Sequence, residues 1–377
     1  MSKEKIKVLI QLNQLGYGGT EKAVYTFLKN LNTEKFIFYV YLNSDIYTFN
    51  YYRIKVFSYF SKKYKIKFKE KYEISFSRWN DFLTVLDDRI FVGNGFDKLM
   101  KIVQKINPDI IHFNRGTFDD FYTTRVNEIS KTIKLVETNI FGKDSNLYYL
   151  ERLNTIFFVS KWLRDKSKWS LRYNSKILYN PINKVLIDKT LHLELNIPNG
   201  AIVLGRISRP NLDNGNFIFN ILQKVLDKNI YFISIGASHD FINLTKDNPK
   251  IINLNPTTDN VFIDKFYNTL DILLHFREEG ETFGMNIAEA MIHGKPVVSH
   301  VSKEDNAQYE LIISYKDCGF VTNLDLNEYA EKLEILIKNP EIREGFSKNA
   351  KIVASEFFSE EKIALILEKY YQDLLRK

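Results

Sequence analysis

The sequence predicts an α/β protein with two doubly wound domains, each built on a parallel sheet. Its 377 residues, 45% of them apolar, exceed the size at which one hydrophobic core usually stops growing. Short β-branched runs alternate with longer segments of helical spacing, which is typical of βαβ units. This alternation restarts after Asn180-Pro181, a pair that favours an extended turn.

The predicted strands follow one another at regular intervals in both halves of the chain. They cover 7–12, 36–42, 109–113, 133–137 and 155–159, then 201–205, 230–235, 251–252, 271–274 and 296–298. Helical spacing marks 21–31 and 96–106, and apolar residues of 359–376 predict a terminal amphipathic helix. We therefore predict domains at 1–184 and 185–358, followed by a helix at 359–377.

Composition excludes several classes of protein. Cys318 is the one cysteine, so an intramolecular disulfide is ruled out and a reducing compartment, the cytoplasm, is expected. No apolar run approaches the ~20 residues that a spanning helix needs, and the N-terminus lacks the pattern of a signal peptide. The net charge of +7 is a modest imbalance and argues only weakly for acidic partners.

The segment 51–72 departs from this rhythm, because its Lys and Arg residues are interleaved with Tyr, Phe and Ile. In 64–69 the alternation has period two, which predicts a strand with a solvated lysine face. Peripheral contact with a membrane surface is the functional alternative. A nucleic-acid groove is not expected.

The most informative segment, 271–298, is predicted as strand, loop, short helix and strand. Gly284 opens the helix, Gly294 closes it, and Pro296 prevents its continuation. A helix that starts at the carboxyl end of a parallel strand presents backbone N–H groups and a positive dipole end to an anion such as a diphosphate.

Two carboxylates flank this helix start. Glu281 lies in the loop just before it, and Glu289 lies one to two turns inside it. Carboxylates are poor phosphate ligands but accept hydrogen bonds from sugar hydroxyls, so the pattern fits a ligand with central phosphates and hydroxyls at both ends, such as a nucleotide sugar. The alternative is a solvated loop acid together with a capping or salt-bridged helix acid.

The string from Glu281 to Glu289 resembles the Glu-x7-Glu motif of the retaining glycosyltransferases of family four, which adopt the GT-B fold. The resemblance implies two facing Rossmann-like domains with a cleft between them, the second binding the nucleotide sugar. It also implies that the final helix, 359–377, packs back on the first domain. It implies that Glu281 contacts the transferred sugar, that the backbone of Phe283, Gly284 and Met285 meets sugar and phosphate, and that Glu289 holds the ribose.

Other segments resemble the family's phosphate contacts. Gly18 and Gly19 follow the first strand and match the N-domain loop of the family, although an ordinary tight turn explains them equally well. Arg206, after a strand ending in Gly205, matches the arginine that binds the diphosphate. The family's lysine about five residues later is missing, and Arg209 is either its replacement or a solvated loop cation.

Three polar residues end strands of the first domain on the expected acceptor side. His112 is a candidate contact to the acceptor or transferred sugar, and a core histidine is the alternative. Asn114 and Asn139 stand where a second histidine is expected by resemblance, and we regard them as acceptor-side candidates.

The resemblance implies a retaining, hexosyltransferase-type enzyme that moves a sugar from a UDP- or GDP-linked donor to a glycan or glycolipid. Arg206, Glu281 and His112 are its candidate catalytic residues. No cofactor or metal is expected, because Asp-x-Asp and zinc-ligand spacings are missing. Surface polysaccharide assembly in the cytoplasm, at the inner membrane face, is the expected setting. A nucleotide-sugar epimerase or hydrolase and a non-catalytic binding subunit are the alternatives.

Overall fold

The computed structural model of the chain describes residues 4–16, 18–43, 77–115, 124–142, 147–168, 173–183, 185–208, 215–227 and 229–376. The basic segment 51–72 and Arg209 lie outside these residues. The chain divides into two compact units, Met1–Pro181 with Glu360–Lys377, and Ile182–Ser359. The predicted boundary after residue 184 lies three residues beyond the observed boundary after Pro181.

The first unit contains a fully parallel sheet. Its strands are β1 (Ile6–Leu12), β2 (Phe36–Asn43), β3 (Ile90–Gly93), β4 (Ile110–Arg115), β5 (Lys134–Asn139), β6 (Thr155–Phe158) and β7 (Ser175–Ile177). Its helices include α1 (Gly19–Asn30), α2 (Trp79–Leu86), α3 (Phe96–Ile106), α4 (Leu147–Arg152) and α5 (Lys161–Lys166), with a 3-10 turn at Val126–Glu128. The strand order is β3-β2-β1-β4-β5-β6-β7, so the direction of winding reverses between β1 and β4.

The second unit repeats this plan. Its strands are β8 (Ile202–Ile207), β9 (Ile230–Ile235), β10 (Ile251–Leu254), β11 (Ile272–Leu274), β12 (Gly280–Glu281), β13 (Val297–His300), β14 (Asp305–Asn306) and β15 (Gly319–Thr322). Its helices are α6 (Asn216–Val225), α7 (His239–Thr245), α8 (Asn260–Thr269), α9 (Met285–Ile292), α10 (Ala307–Tyr309), α11 (Leu326–Lys338) and α12 (Pro340–Phe357), with a π turn at Glu310–Ser314.

The main sheet of the second unit has the order β10-β9-β8-β11-β13-β15, and β12 and β14 form a separate parallel pair. The winding reverses between β8 and β11, and ligands of such sheets bind outside the carboxyl ends of the strands at this point. Two Rossmann-like parallel-sheet domains confirm the predicted fold class.

The last helix, α13 (Glu360–Arg376), belongs to the first unit although it follows the second in the chain. Its buried Ile363, Leu367 and Tyr371 join the core formed by β1, β2 and α1. The Glu368 carboxylate accepts a hydrogen bond from the Asn32 amide at 2.6 Å. The apolar face of this amphipathic helix therefore forms one side of the first unit's core.

Candidate functional site

The start of α9 is shaped by two glycines that no other residue can replace without strain. Gly284, at φ +95°, immediately precedes α9, and Gly280, at φ +74°, opens β12. Both conformations are left-handed, which favours glycine. A Cβ at Gly280 would also lie 1.7 Å from the Asp305 carbonyl oxygen, so only glycine allows β12 to approach β14 this closely. Gly294 follows α9 at φ +67°, as predicted for its end.

Glu281 is fixed between two nitrogen donors. Its Oε1 lies 3.3 Å from His275 Nε2, and its Oε2 accepts a hydrogen bond from Arg277 Nη1 at 3.2 Å. The carboxylate side chain is 15% exposed, so a ligand can still reach it. His275 is in turn 2.8 Å from the Ser299 hydroxyl, which is fully buried and therefore not placed to act as a nucleophile.

The residues after β13 hold the Glu281 loop from the other side. Gln308 Oε1 accepts a hydrogen bond from the Glu281 amide at 3.0 Å. Gln308 Nε2 donates to the His300 and Asp305 carbonyls at 2.9 and 3.2 Å. This fully buried glutamine therefore connects the Glu281 loop with the segment after β13.

Glu289 lies on α9 in a more enclosed environment. It is 8% exposed, and its Oε2 accepts a hydrogen bond from the Tyr267 hydroxyl at 2.9 Å. Ile287, Ala290 and Met291 are fully buried, as predicted for the packed face of the helix. Glu289 is thus on the flank of α9, with its carboxylate tied to α8.

Arg206 is near the end of β8, the strand beside β11 at the point where the winding reverses. Its Nη2 donates a hydrogen bond to the Phe276 carbonyl at 3.2 Å. Asn286, in the first turn of α9, donates from Nδ2 to the Ile207 carbonyl at 3.2 Å. The end of β8 and the start of α9 are therefore joined directly.

Six of the predicted donor-site residues belong to this one unit, at the carboxyl edge of its sheet. They are Arg206, Glu281, Phe283, Gly284, Met285 and Glu289. Phe283 is 2% exposed, and its ring contacts the Phe358 ring edge-on with 5.5 Å between centroids. Among the described residues, no cluster of three or more His, Cys, Asp or Glu side chains could hold a metal ion.

Gly18 and Gly19 lie at the start of α1 in the first unit, but a carboxylate lies beside them. A Cβ at Gly18 would lie 1.9 Å from Glu21 Oε2, and the Glu21 side chain is buried. The small size of Gly18 thus makes room for Glu21. An acid in the first helical turn also occupies the positive dipole end that an anion would use.

His112, a candidate catalytic residue, is enclosed by side chains of the first unit. Its ring is 4% exposed, and its nitrogens lie 2.6 Å from the Tyr371 hydroxyl and 2.7 Å from the Thr138 hydroxyl. Burial lowers the pKa of His112 to about 3, so the ring is neutral at physiological pH. Nδ1 thus contacts α13 and Nε2 contacts the neighbouring strand β5, an arrangement that fits the core-histidine alternative.

The side chains of Asn114 and Asn139 make hydrogen bonds to the backbone of the first unit. Asn114 Nδ2 donates to the Gln11 carbonyl at 3.2 Å, and Asn139 Oδ1 accepts from the Gly142 amide at 2.8 Å. Both side chains are buried at the ends of their strands. These contacts fix the strand ends of the first unit.

Sequence comparisons locate the family signal in the second unit. Residues 198–339 match the family model described as glycosyl transferases group 1. Over 242 residues the chain is 24% identical to an uncharacterized glycosyltransferase of Methanocaldococcus jannaschii. That match covers 64% of this chain and spans 65% of the length of the relative.

Solved structures resemble the whole chain. A glycosyltransferase from Rickettsia africae ESF-5 has a TM-score of 0.73 at 16% identity, with 100% of each chain covered. HepE of Anabaena in complex with UDP has a TM-score of 0.68 at 17% identity, with 98% of this chain and 100% of HepE covered. These similarities show the GT-B fold, and with the family match they support a GT-B glycosyltransferase.

None of the helices within the described ranges combines the length and apolar character needed to span a membrane.

Proposed function

We propose that the chain transfers a sugar from a nucleoside diphosphate sugar to a glycan or glycolipid acceptor, with retention at the anomeric carbon. One observation carries this proposal: Glu281 and Glu289 flank the glycine-opened start of α9, where the winding of the sheet reverses. HepE, which has a similar fold, has been solved in complex with UDP and in complex with UDP-glucose. This supports a uridine nucleotide as the donor.

In the proposed complex, the diphosphate lies at the start of α9 and beside Arg206. Amide groups of a first helical turn and a permanently charged guanidinium both favour an anion there. Glu281 accepts hydrogen bonds from hydroxyls of the transferred sugar, and Glu289 accepts them from the ribose. The same positive groups stabilise the departing diphosphate, so the proposed reaction requires neither a metal ion nor a nucleophilic side chain.

The acceptor and the cellular setting are proposed on family resemblance alone. A glycan or glycolipid of the cell surface, assembled in the cytoplasm at the inner membrane face, is the setting we propose. Peripheral membrane contact through the basic segment 51–72 would suit a lipid-linked acceptor.

Thermal unfolding with UDP, GDP, UDP-glucose and GDP-mannose tests donor binding, because a ligand that binds the folded state raises the melting temperature by mass action. We expect a selective increase with one nucleotide class and a smaller increase in Glu289→Ala. Incubation of that donor with an acceptor panel, followed by NMR of the anomeric proton, tests transfer and retention. Release of free sugar without acceptor transfer would instead identify a hydrolase.

A further inference from the structure

Tyr267 on α8 makes a contact that the sequence did not suggest. Its side chain is fully buried, and its hydroxyl lies 2.9 Å from Glu289 Oε2 and 3.2 Å from the Asn286 carbonyl. A phenol has one proton to donate, and the shorter bond to the charged carboxylate is the stronger of the two. Burial and the charge of Glu289 raise the pKa of Tyr267, so the hydroxyl remains a donor.

The Tyr267 ring, on α8, packs against the end of α9. His293, directly after α9, stacks on the ring with 5.1 Å between centroids. The His293 nitrogens lie 2.8 Å from the Glu289 carbonyl and 3.2 Å from Asp264 Oδ1. Asp264 Oδ2 accepts a further hydrogen bond from the Leu186 amide at 2.7 Å. Tyr267 therefore has little freedom to move away from Glu289.

We propose that Tyr267 is a positioning residue that orients the Glu289 carboxylate toward the ribose hydroxyls of the donor. The inference rests on the proposed function, in which Glu289 binds the ribose. A glutamate side chain loses substantial rotamer freedom when it is ordered. A buried hydroxyl that fixes one carboxylate oxygen lowers this cost before the nucleotide arrives, so binding is tighter.

The proposal differs from a structural role in what it predicts about selectivity. If Tyr267 only stabilised the fold, its loss would lower the melting temperature and weaken binding of every nucleotide equally. If it acts through Glu289, its loss weakens binding only of nucleotides that carry ribose hydroxyls.

A cycle of protein and ligand changes separates these roles. UDP and 2′,3′-dideoxy-UDP are titrated calorimetrically into the wild-type protein and Tyr267→Phe. We expect the wild type to prefer UDP, and Tyr267→Phe to lose about tenfold in UDP affinity with little change for the dideoxy nucleotide. Equal losses for both nucleotides would overturn the proposal. Titration in the cold with an osmolyte keeps a destabilised variant folded.

Two further variants complete the experiment. Glu289→Ala should abolish the preference for UDP, and a retained preference would mean that Glu289 does not bind ribose, so the proposed role of Glu289 would fail. Loss of the preference in Glu289→Ala with full retention in Tyr267→Phe would reject only the positioning role. Tyr371→Phe, which removes a buried hydroxyl from the first unit, is the matched control and should bind both nucleotides as the wild type does.

Discussion

At the scale of single residues, the two motif glutamates occupy different environments. Glu281 is bound by Arg277 and His275 and is partly exposed, whereas Glu289 is more enclosed and accepts a hydrogen bond from a tyrosine. Glu281 is thus an oriented acceptor beside cationic and polar donors. Both carboxylates are hydrogen-bond acceptors held by neighbouring donors, which is compatible with the proposed binding of hydroxyls.

Replacing Glu281 with Gln should separate catalysis from nucleotide binding. The amide keeps the shape but loses the charge. A hydrogen bond to a charged group contributes about 1.5–3 kcal/mol, compared with about 0.5–1.5 kcal/mol for a neutral one. The difference of about 1–1.5 kcal/mol predicts that kcat/KM falls about 5- to 13-fold while the affinity for UDP stays near that of the wild type. Glu278→Gln, an exposed acid of the same loop, is the control and should keep full turnover. Equal losses of turnover and UDP affinity would contradict the assignment.

His112 shows where prediction from sequence reaches its limit. A histidine at the end of a predicted strand is compatible with a ligand contact and with a core position. The deciding contact comes from Tyr371, more than 250 residues away in the chain. No local pattern contains this pairing, whereas the apolar pair Ile110-Ile111 beside it, buried in the structure, indicated the strand.

The burial of His112 makes stability depend on pH. Its pKa is lowered from the ordinary value of 6.5 to about 3, so the unfolded chain binds the proton more tightly. The stability contribution is complete above about pH 6.5 and decreases as pH falls toward 3. At pH 5 the expected loss relative to pH 7 is about 2 kcal/mol.

Denaturant unfolding at pH 7 and pH 5 measures this loss, and His112→Gln should reduce the difference. His239→Gln, a change at an exposed histidine, should leave it as in the wild type. We also expect His112→Gln to keep its turnover per folded molecule. A large fall in kcat at full folding would instead support the catalytic role of His112.

At the scale of elements, the length of a strand or helix determined whether it could be predicted from the sequence. Long apolar strands such as β1 and β9, and the start and end of α9, were predicted close to their observed bounds. The pair formed by β12 and β14 was not, because two residues per strand carry no periodicity. Gln308 was missed for a different reason, because its role depends on a contact with Glu281, 27 residues earlier in the chain.

Gly280→Ala should separate β12 from β14. The added Cβ would meet the Asp305 carbonyl oxygen at 1.7 Å, and the left-handed backbone adds strain. We expect a lower melting temperature and a loss of turnover, because the amide that Gln308 holds belongs to Glu281. Gly345→Ala in α12 is the matched control. No atom lies within 4 Å of its added Cβ, so a gain of about 0.5–1 kcal/mol is expected. Wild-type turnover in Gly280→Ala would show that the pair does not support the site.

At the scale of the whole molecule, the chain crosses from the first unit to the second and returns. The two sheets were predictable because buried parallel strands are apolar on both faces, so each run is distinct in the sequence. The return of α13 was expected from the family resemblance alone, because the pattern of an amphipathic helix shows that one face is buried but does not identify the partner. The Asn32 and Glu368 contact identifies the first unit as its partner.

Leu367→Ala in α13 should therefore destabilise the first unit and leave the second unit intact. Leu367 is 1% exposed in the core shared with α1 and β2, and truncation of such a leucine costs about 2–5 kcal/mol. Hydrogen–deuterium exchange should accelerate in β1, β2 and α1 and remain unchanged in β8 and β11. Leu365→Ala on the same helix is 64% exposed in the wild type and should change neither unit. Acceleration confined to the second unit would contradict the packing of α13, because the energetic cost of a cavity falls first on the elements that line it.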